Sequence, residues 1–296
     1  MFILTPPLLF SCLDLAKTEG DYWGGDQDIP YPRTAYAITS AKPGTDVAAS
    51  TAAAFASCSL LYSNRTLSVS SPSSALPNVT NTTYASTLLT HSRQLLNLAV
   101  NATGGQQVYQ KAVPAVTDSY PSSSIGDDLV LAALFLAYAD NSPALFSQAQ
   151  NWWGKYKLSG DGALNWDNKA PALPILFSQL LTLKPDLGTG SDLNKWKKEA
   201  ETTLDGVVAA NGPGYLTSGG LLWYDGASDT NSLNPALNAA MLLVRYAPLA
   251  TSSGKTNNYM VLRSCACIGL VLTCISRRLQ RLNWITLWET TLCKVC

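Results

Sequence analysis

The residues of this chain best suited to chemistry are carboxylates set beside large aromatic rings. Asp127-Asp128 opens an apolar stretch, Asp167 follows Trp166, and Asp225 follows Trp223-Tyr224. Tyr22-Trp23 lies between Asp21 and a Gly-Gly pair. Flat aromatic faces stack on the apolar faces of ring-shaped ligands, and carboxylates accept hydrogen bonds from hydroxyls or shuttle protons in general acid–base chemistry. Each of these features also has an ordinary structural reading. Asp127 and Asp128 at a helix start complement the helix dipole. Asp167 suits a helix N-cap before 169–183. Trp23 and Trp166 can serve as packing residues rather than as ligand platforms. Trp223 and Tyr224 read as a surface aromatic pair on a loop. The chain has four glutamates, and Glu199 and Glu201 follow Lys197-Lys198 on what reads as a solvated helix face. His91, the single histidine, sits mid-helix without a visible partner.

These residues fall within five short motifs in a fixed order. They are Asp21-Tyr-Trp-Gly-Gly with Tyr31-Pro-Arg33, Lys42-Pro-Gly-Thr-Asp46, Asp127-Asp-Leu129, Asn165-Trp-Asp-Asn-Lys169, and Gly219-Gly-Leu-Leu-Trp223 followed by Leu237-Asn-Ala-Ala240. Together they resemble glycoside hydrolase family 9, the inverting cellulases built on an (α/α)6 barrel. The resemblance covers residues 20–259. It implies an endo-β-1,4-glucanase lineage acting on cellulose-like chains, with Tyr22, Trp23, Trp166, Asp167, Trp223 and Tyr224 as substrate-binding residues. Inverting glycosidases use two carboxyl groups about 6.5–9.5 Å apart. The family's base lies in an Asp-Ala-Gly-Asp motif and its acid is a late Glu; neither is found in this sequence. The 296-residue chain is therefore expected to be catalytically inactive, with a glucan-binding remnant as the alternative reading. The implied partner is a β-glucan, with no cofactor. Some family members bind calcium, but no cluster of acidic and carbonyl ligands identifies a metal site here.

Composition agrees with handling a neutral polymer. Formal net charge is zero and 14% of residues are charged, so no basic field exists to hold nucleic acid. No stretch reaches the roughly 18 apolar residues of a membrane span. Asn64, Asn78, Asn81 and Asn101 each begin a glycosylation sequon, which points to an extracellular or secretory protein with those four side chains exposed.

The elements that must position these residues are helices. Periodicity predicts helices over 47–62, 83–100, 127–140, 144–153, 170–183, 191–209 and 235–247, joined by Gly- and Pro-containing linkers, with no convincing period-2 strands. Thr45-Asp46 reads as the N-cap of the first helix. The fold class is all-α, an incomplete (α/α)6 barrel of helical hairpins. Seven helices do not close a ring of twelve, so apolar residues of the 235–247 helix are expected to be exposed. Residues 1–19 are an uncertain N-terminal segment. Residues 260–296 carry five of the seven cysteines and five Arg/Lys against one Glu, and read as an unrelated, out-of-frame tail with few contacts to the body. The tail's cysteine spacing does not fit paired metal ligands.

Overall fold

A computed structural model describes residues 4–5, 8–11, 36–65, 67, 69, 79–117 and 120–259. The Tyr22, Trp23, Tyr31–Arg33, Asn78 and tail expectations fall outside these residues. The chain divides into two compact units, residues 1–159 with 167–193, and residues 160–166 with 194 onward.

In the first unit the helices are α1 (Thr45–Tyr62), α2 (Thr82–Asn101), α3 (Gly126–Asp140), α4 (Pro143–Lys155) and α5 (Leu173–Leu183). Helix α1 is rich in alanine, and Ala48, Ala49, Ala52, Ala53 and Ala56 are all buried. Small side chains let α2 and α3 approach it closely. The buried hydroxyls of Ser59 and Ser92 donate to Ala85 O and Ala52 O, at 2.8 and 2.6 Å, stitching α1 to α2. Helix α3 is apolar on nearly every face, and Leu129, Val130, Leu134 and Leu136 are fully enclosed. It turns into α4 through Asn141 in the left-handed conformation and the N-cap Ser142, whose hydroxyl accepts from Leu145 N. Phe177 of α5 meets Phe146 and Trp153 of α4 edge-on, with centroids 5.4 and 6.3 Å apart.

The segment between α1 and α2 is pinned at both ends. Asn81 N donates to Tyr62 O at 2.9 Å, and Tyr62 and Tyr84 stack edge to face. The Arg65 guanidinium donates to Tyr138 O and Ala139 O, capping the C-terminal carbonyls of α3. A short sheet precedes α1: β1 (Leu4–Thr5) and β2 (Leu8–Ser11) pair antiparallel, and β2 pairs with β3 (Tyr36–Ile38) in the register Leu9 to Ile38.

The second unit holds α6 (Leu193–Ala209), a hairpin of β4 (Gly214–Leu216) and β5 (Leu222–Tyr224), a short α7 (Ala227–Asn231) and α8 (Asn234–Tyr246). The chain is helical again over 253–259. Its core includes Trp196, Leu204, Leu242, Leu243, Tyr246 and Tyr259.

Each helix that periodicity predicts is present, with no end displaced by more than three residues. Four expectations are corrected. The β4–β5 hairpin is an antiparallel pair in a region predicted to lack strands, and Gly220 takes a positive φ of 82° in its turn. Thr45-Asp46 is not the cap of α1: Gly44 holds that position without a side-chain bond, and both residues are buried in the first turn. Asp167 is not an N-cap, because a 3-10 turn over Ala170–Ala172 intervenes and α5 begins at Leu173. Glu201 is not solvated. It is buried and accepts from Tyr246 Oη (3.1 Å), Thr251 N (2.8 Å) and Thr251 Oγ1 (2.9 Å), with Lys255 Nζ at 2.8 Å. Burial pushes the Glu201 carboxyl upward, but Lys255 and the Thr251 bonds outweigh it and hold it below its ordinary value. His91 lies within α2 and hydrogen-bonds Gln94 at 2.9 Å.

Candidate functional site

The first turn of α3 gathers most of the buried charge of the first unit. Gly126 opens the helix where a β-carbon would stand 2.6 Å from the Tyr156 ring, so the helix start lies flush against that aromatic. Asp127 and Asp128 follow, both almost fully buried. Asp127 Oδ1 accepts from Ser124 Oγ at 2.9 Å and Oδ2 from Lys169 N at 2.8 Å. Asp128 Oδ1 accepts from Ser50 Oγ at 2.5 Å and faces Lys169 Nζ at 2.9 Å. Asp128 Oδ2 is buried with no hydrogen-bond partner. Burial drives the Asp128 carboxyl up to about 7; Lys169 opposes that rise and Asp127 adds to it. Near neutral pH the Asp128 carboxyl is therefore partly protonated.

The loop carrying Asp167 is clamped to the approach to α3. Ser123 N donates to Asp167 Oδ1 at 2.8 Å, and Asn168 Oδ1 accepts from Ala170 N. A second clamp reaches α1. Tyr109 N donates to both oxygens of Asp46 at 3.0 and 3.2 Å, Gln107 N donates to Thr45 Oγ1, and Thr45 N donates to Gln107 O. Burial raises the Asp46 carboxyl above its ordinary value, against the bonds from Tyr109 and Ser122. Tyr109 Oη donates to Tyr120 O at 2.5 Å, and Gln110 exchanges hydrogen bonds with the Ser122 backbone. The chain from α1 through residues 107–124 to the 167–170 loop is thus one connected polar frame built around Asp46, Asp127, Asp128 and Asp167.

The dipole reading of Asp127-Asp128 is incomplete, because both carboxylates have specific partners. Lys169, Ser50, Ser123 and Ser124 are the site residues that motif reading missed. The signal for Lys169 was in the sequence, since the same short motif that holds Asp167 ends on it. Among the described residues no group of three or more His, Cys, Asp or Glu is placed to hold a metal ion. Of the four carboxylate oxygens of Asp127 and Asp128, three are matched to hydroxyls, a backbone N–H and an ammonium, and Asp128 Oδ2 is not.

In the second unit, Trp166 is 43% exposed. Asn238 Nδ2 of α8 donates to Leu164 O at 2.8 Å, fixing the strand of chain that leads into Trp166. The Trp223-Tyr224 pair is not a surface loop. Both lie on β5, where Trp223 is half-buried and Tyr224 is buried, its hydroxyl pushed up to about 12 by that burial. Tyr224 presents no ring to a ligand, and Tyr215 Oη instead donates to Asp225 Oδ1 at 3.0 Å. Asn64, Asn81 and Asn101 are exposed. Among the described residues no helix is long and apolar enough to cross a membrane.

Comparison with known proteins gives a consistent result. Residues 9–266 match the family model for Glycosyl hydrolase family 9, a span somewhat wider than the 20–259 stretch that carries the motifs. Endoglucanase 2 of Arabidopsis thaliana is 30% identical over 253 residues, covering 84% of this chain and 45% of the relative. Endoglucanase 10 of the same plant is 31% identical over 229 residues, covering 76% and 40%. The structure of an endoglucanase from the termite Nasutitermes takasagoensis superposes with a TM-score of 0.69 at 27% identity, covering 88% of this chain and 53% of that one. The chain spans about half the length of the relatives it matches. Its all-α hairpins are part of an (α/α)6 barrel architecture.

Proposed function

Because the chain belongs to glycosyl hydrolase family 9, we propose that its lineage is that of endo-acting, inverting hydrolases of β-1,4-glucans of the cellulose type in the extracellular or secretory compartment, and that these 296 residues contribute glucan binding to that activity. The observation that carries the reading is the exposed Trp166 ring immediately before Asp167, whose carboxylate is held in place by Ser123 N. An exposed indole offers an apolar face to a pyranose ring, and a carboxylate accepts hydrogen bonds from sugar hydroxyls. Trp223, half-buried on β5, is a second candidate surface, and Tyr22 and Trp23 keep their assignment from the motifs.

Cleavage itself needs an acid and a base on opposite faces of the sugar. Asp127 and Asp128 do not supply them in this reading, because both are buried behind Lys169 and the Ser50 and Ser124 hydroxyls. Neither the Asp-Ala-Gly-Asp segment nor the late acid Glu occurs in these 296 residues. The 296-residue polypeptide by itself is therefore proposed to bind glucan without turning it over.

Calorimetry with cellohexaose and a reducing-sugar assay on the purified chain test both parts. Binding is expected, and Trp166→Ala is expected to weaken it about tenfold, the scale of roughly 1.5 kcal/mol for burying an aromatic face. Absence of binding removes the glucan reading. Sugar release above a buffer control, retained through purification, removes the reading that the chain lacks turnover.

A further inference from the structure

We propose that Asn101 carries an N-linked glycan whose first N-acetylhexosamine ring lies in a groove of the protein itself, between α2, α3 and α4. The groove has a volume of about 310 Å³ and lies wholly within the first unit. That is the lower end of the roughly 300–1,000 Å³ of small-ligand pockets, room for one or two sugar rings.

Three observations choose the occupant. The first is attachment: Asn101 lines the groove, is exposed, and begins the sequon Asn101-Ala-Thr103, whose threonine is also exposed. The second is charge. Arg93 is the ionised side chain of the lining, and its charge is already matched, Nε and Nη2 donating to the two oxygens of Asp140 at 2.9 and 2.6 Å. What remains is neutral, so the groove suits an uncharged occupant rather than an anionic one. The third is the mixture of surfaces. Trp152 and Leu96 give the lining apolar surface, and Asn97 and Gln148 give it amide groups. A pyranose ring has an apolar face and a polar edge, and its N-acetyl group is itself an amide.

The chemistry balances without disturbing the local bonds. A polyprenyl-diphosphate-linked oligosaccharide supplies the sugar. The bond from C1 to the diphosphate oxygen breaks, a bond from C1 to Asn101 Nδ2 forms, and the amide proton leaves with the diphosphate. The glycosylated amide keeps one N–H. Asn101 Nδ2 already donates to Asn97 Oδ1 at 2.8 Å, so that remaining N–H stays bonded while the sugar replaces the other hydrogen. The inference rests on passage through a glycosylating compartment, not on glucan binding, so the two can fail separately.

The test uses the full chain made in a glycosylating eukaryotic host. Peptide mapping reads occupancy, and digestion of the native protein with an amidase that removes N-glycans reads shielding. Asn101 is expected to be occupied, and its glycan to be released at least about fivefold more slowly than that of the exposed Asn64. Denaturation should erase the difference. Gln148→Ala should bring the Asn101 rate toward the Asn64 rate, and Asn97→Ala, at an exposed position, serves if the first variant does not fold. An unmodified Asn101, whether or not other sequons are occupied, overturns the proposal. Equal release rates in the native protein overturn it as well.

Discussion

Asp128 combines almost complete burial, one ammonium partner and one oxygen with no partner, and this fixes how it responds to pH. Its carboxyl is raised to about 7, against an ordinary value near 4 in the unfolded chain. Between those values the folded state holds a proton that the unfolded state releases. The stabilising contribution of Asp128 is therefore full below about pH 4 and is lost as pH rises toward 7, by up to about 1.4 kcal/mol per pH unit. Asp128→Asn cannot titrate. Urea unfolding from pH 4 to 7 should show wild-type stability falling relative to the variant, and parallel curves would contradict the raised carboxyl. Glu201 behaves in the opposite sense: its carboxyl is held low, so its contribution is present at neutral pH and disappears in acid. The sequence showed both residues only as charges. Asp128 was legible as a helix-start carboxylate, but Lys169 lies 41 positions away, and only the fold brings them together.

At the scale of elements, the long helices were readable because their apolar spacing is regular, as in α2, and because α1 and α3 are dense in Ala and Leu. Their ends were less so. Ser142 and Asn81 are conventional caps and lie just where the pattern begins, whereas Gly44 caps α1 with no side chain at all. The β4–β5 strands have three residues each, too short for an alternation to emerge from sequence. Asp46 misled for a physical reason: it is a good cap residue, but it is used to hold Tyr109 N from a distant segment. The start of α1 is tight in consequence. A β-carbon on Gly44 would stand 2.6 Å from Tyr109 Cβ and 3.1 Å from its Cα, and backbone cannot swing aside as a side-chain tip does. Gly44→Ala should cost about 1–3 kcal/mol by overpacking, read as a lower urea midpoint with an unchanged slope. A midpoint shift below experimental error would show that the Tyr109 segment yields freely.

Across the whole molecule, each of the two units has its own apolar core, yet α8 keeps a stripe in solvent. Leu233, Leu237 and Met241, four residues apart on one face, are 42%, 49% and 49% exposed, as expected for that helix from sequence. Leu237→Lys with Met241→Lys should leave stability within about 0.5 kcal/mol while sharply lowering binding of an apolar dye. A large loss of stability would show that the stripe is packed rather than exposed. The segment between α1 and α2 has a different consequence. Asn81 N reaches back to Tyr62 O, and Arg65 is held on the end of α3, so the end of α1 and the start of α2 are tied together directly. Between two such fixed anchors, each doubling in length of a flexible connection costs only about 0.6 kcal/mol of closure entropy. A lineage could lengthen, shorten or decorate this stretch with almost no effect on the helices beside it. It is accordingly the natural place to graft a foreign epitope.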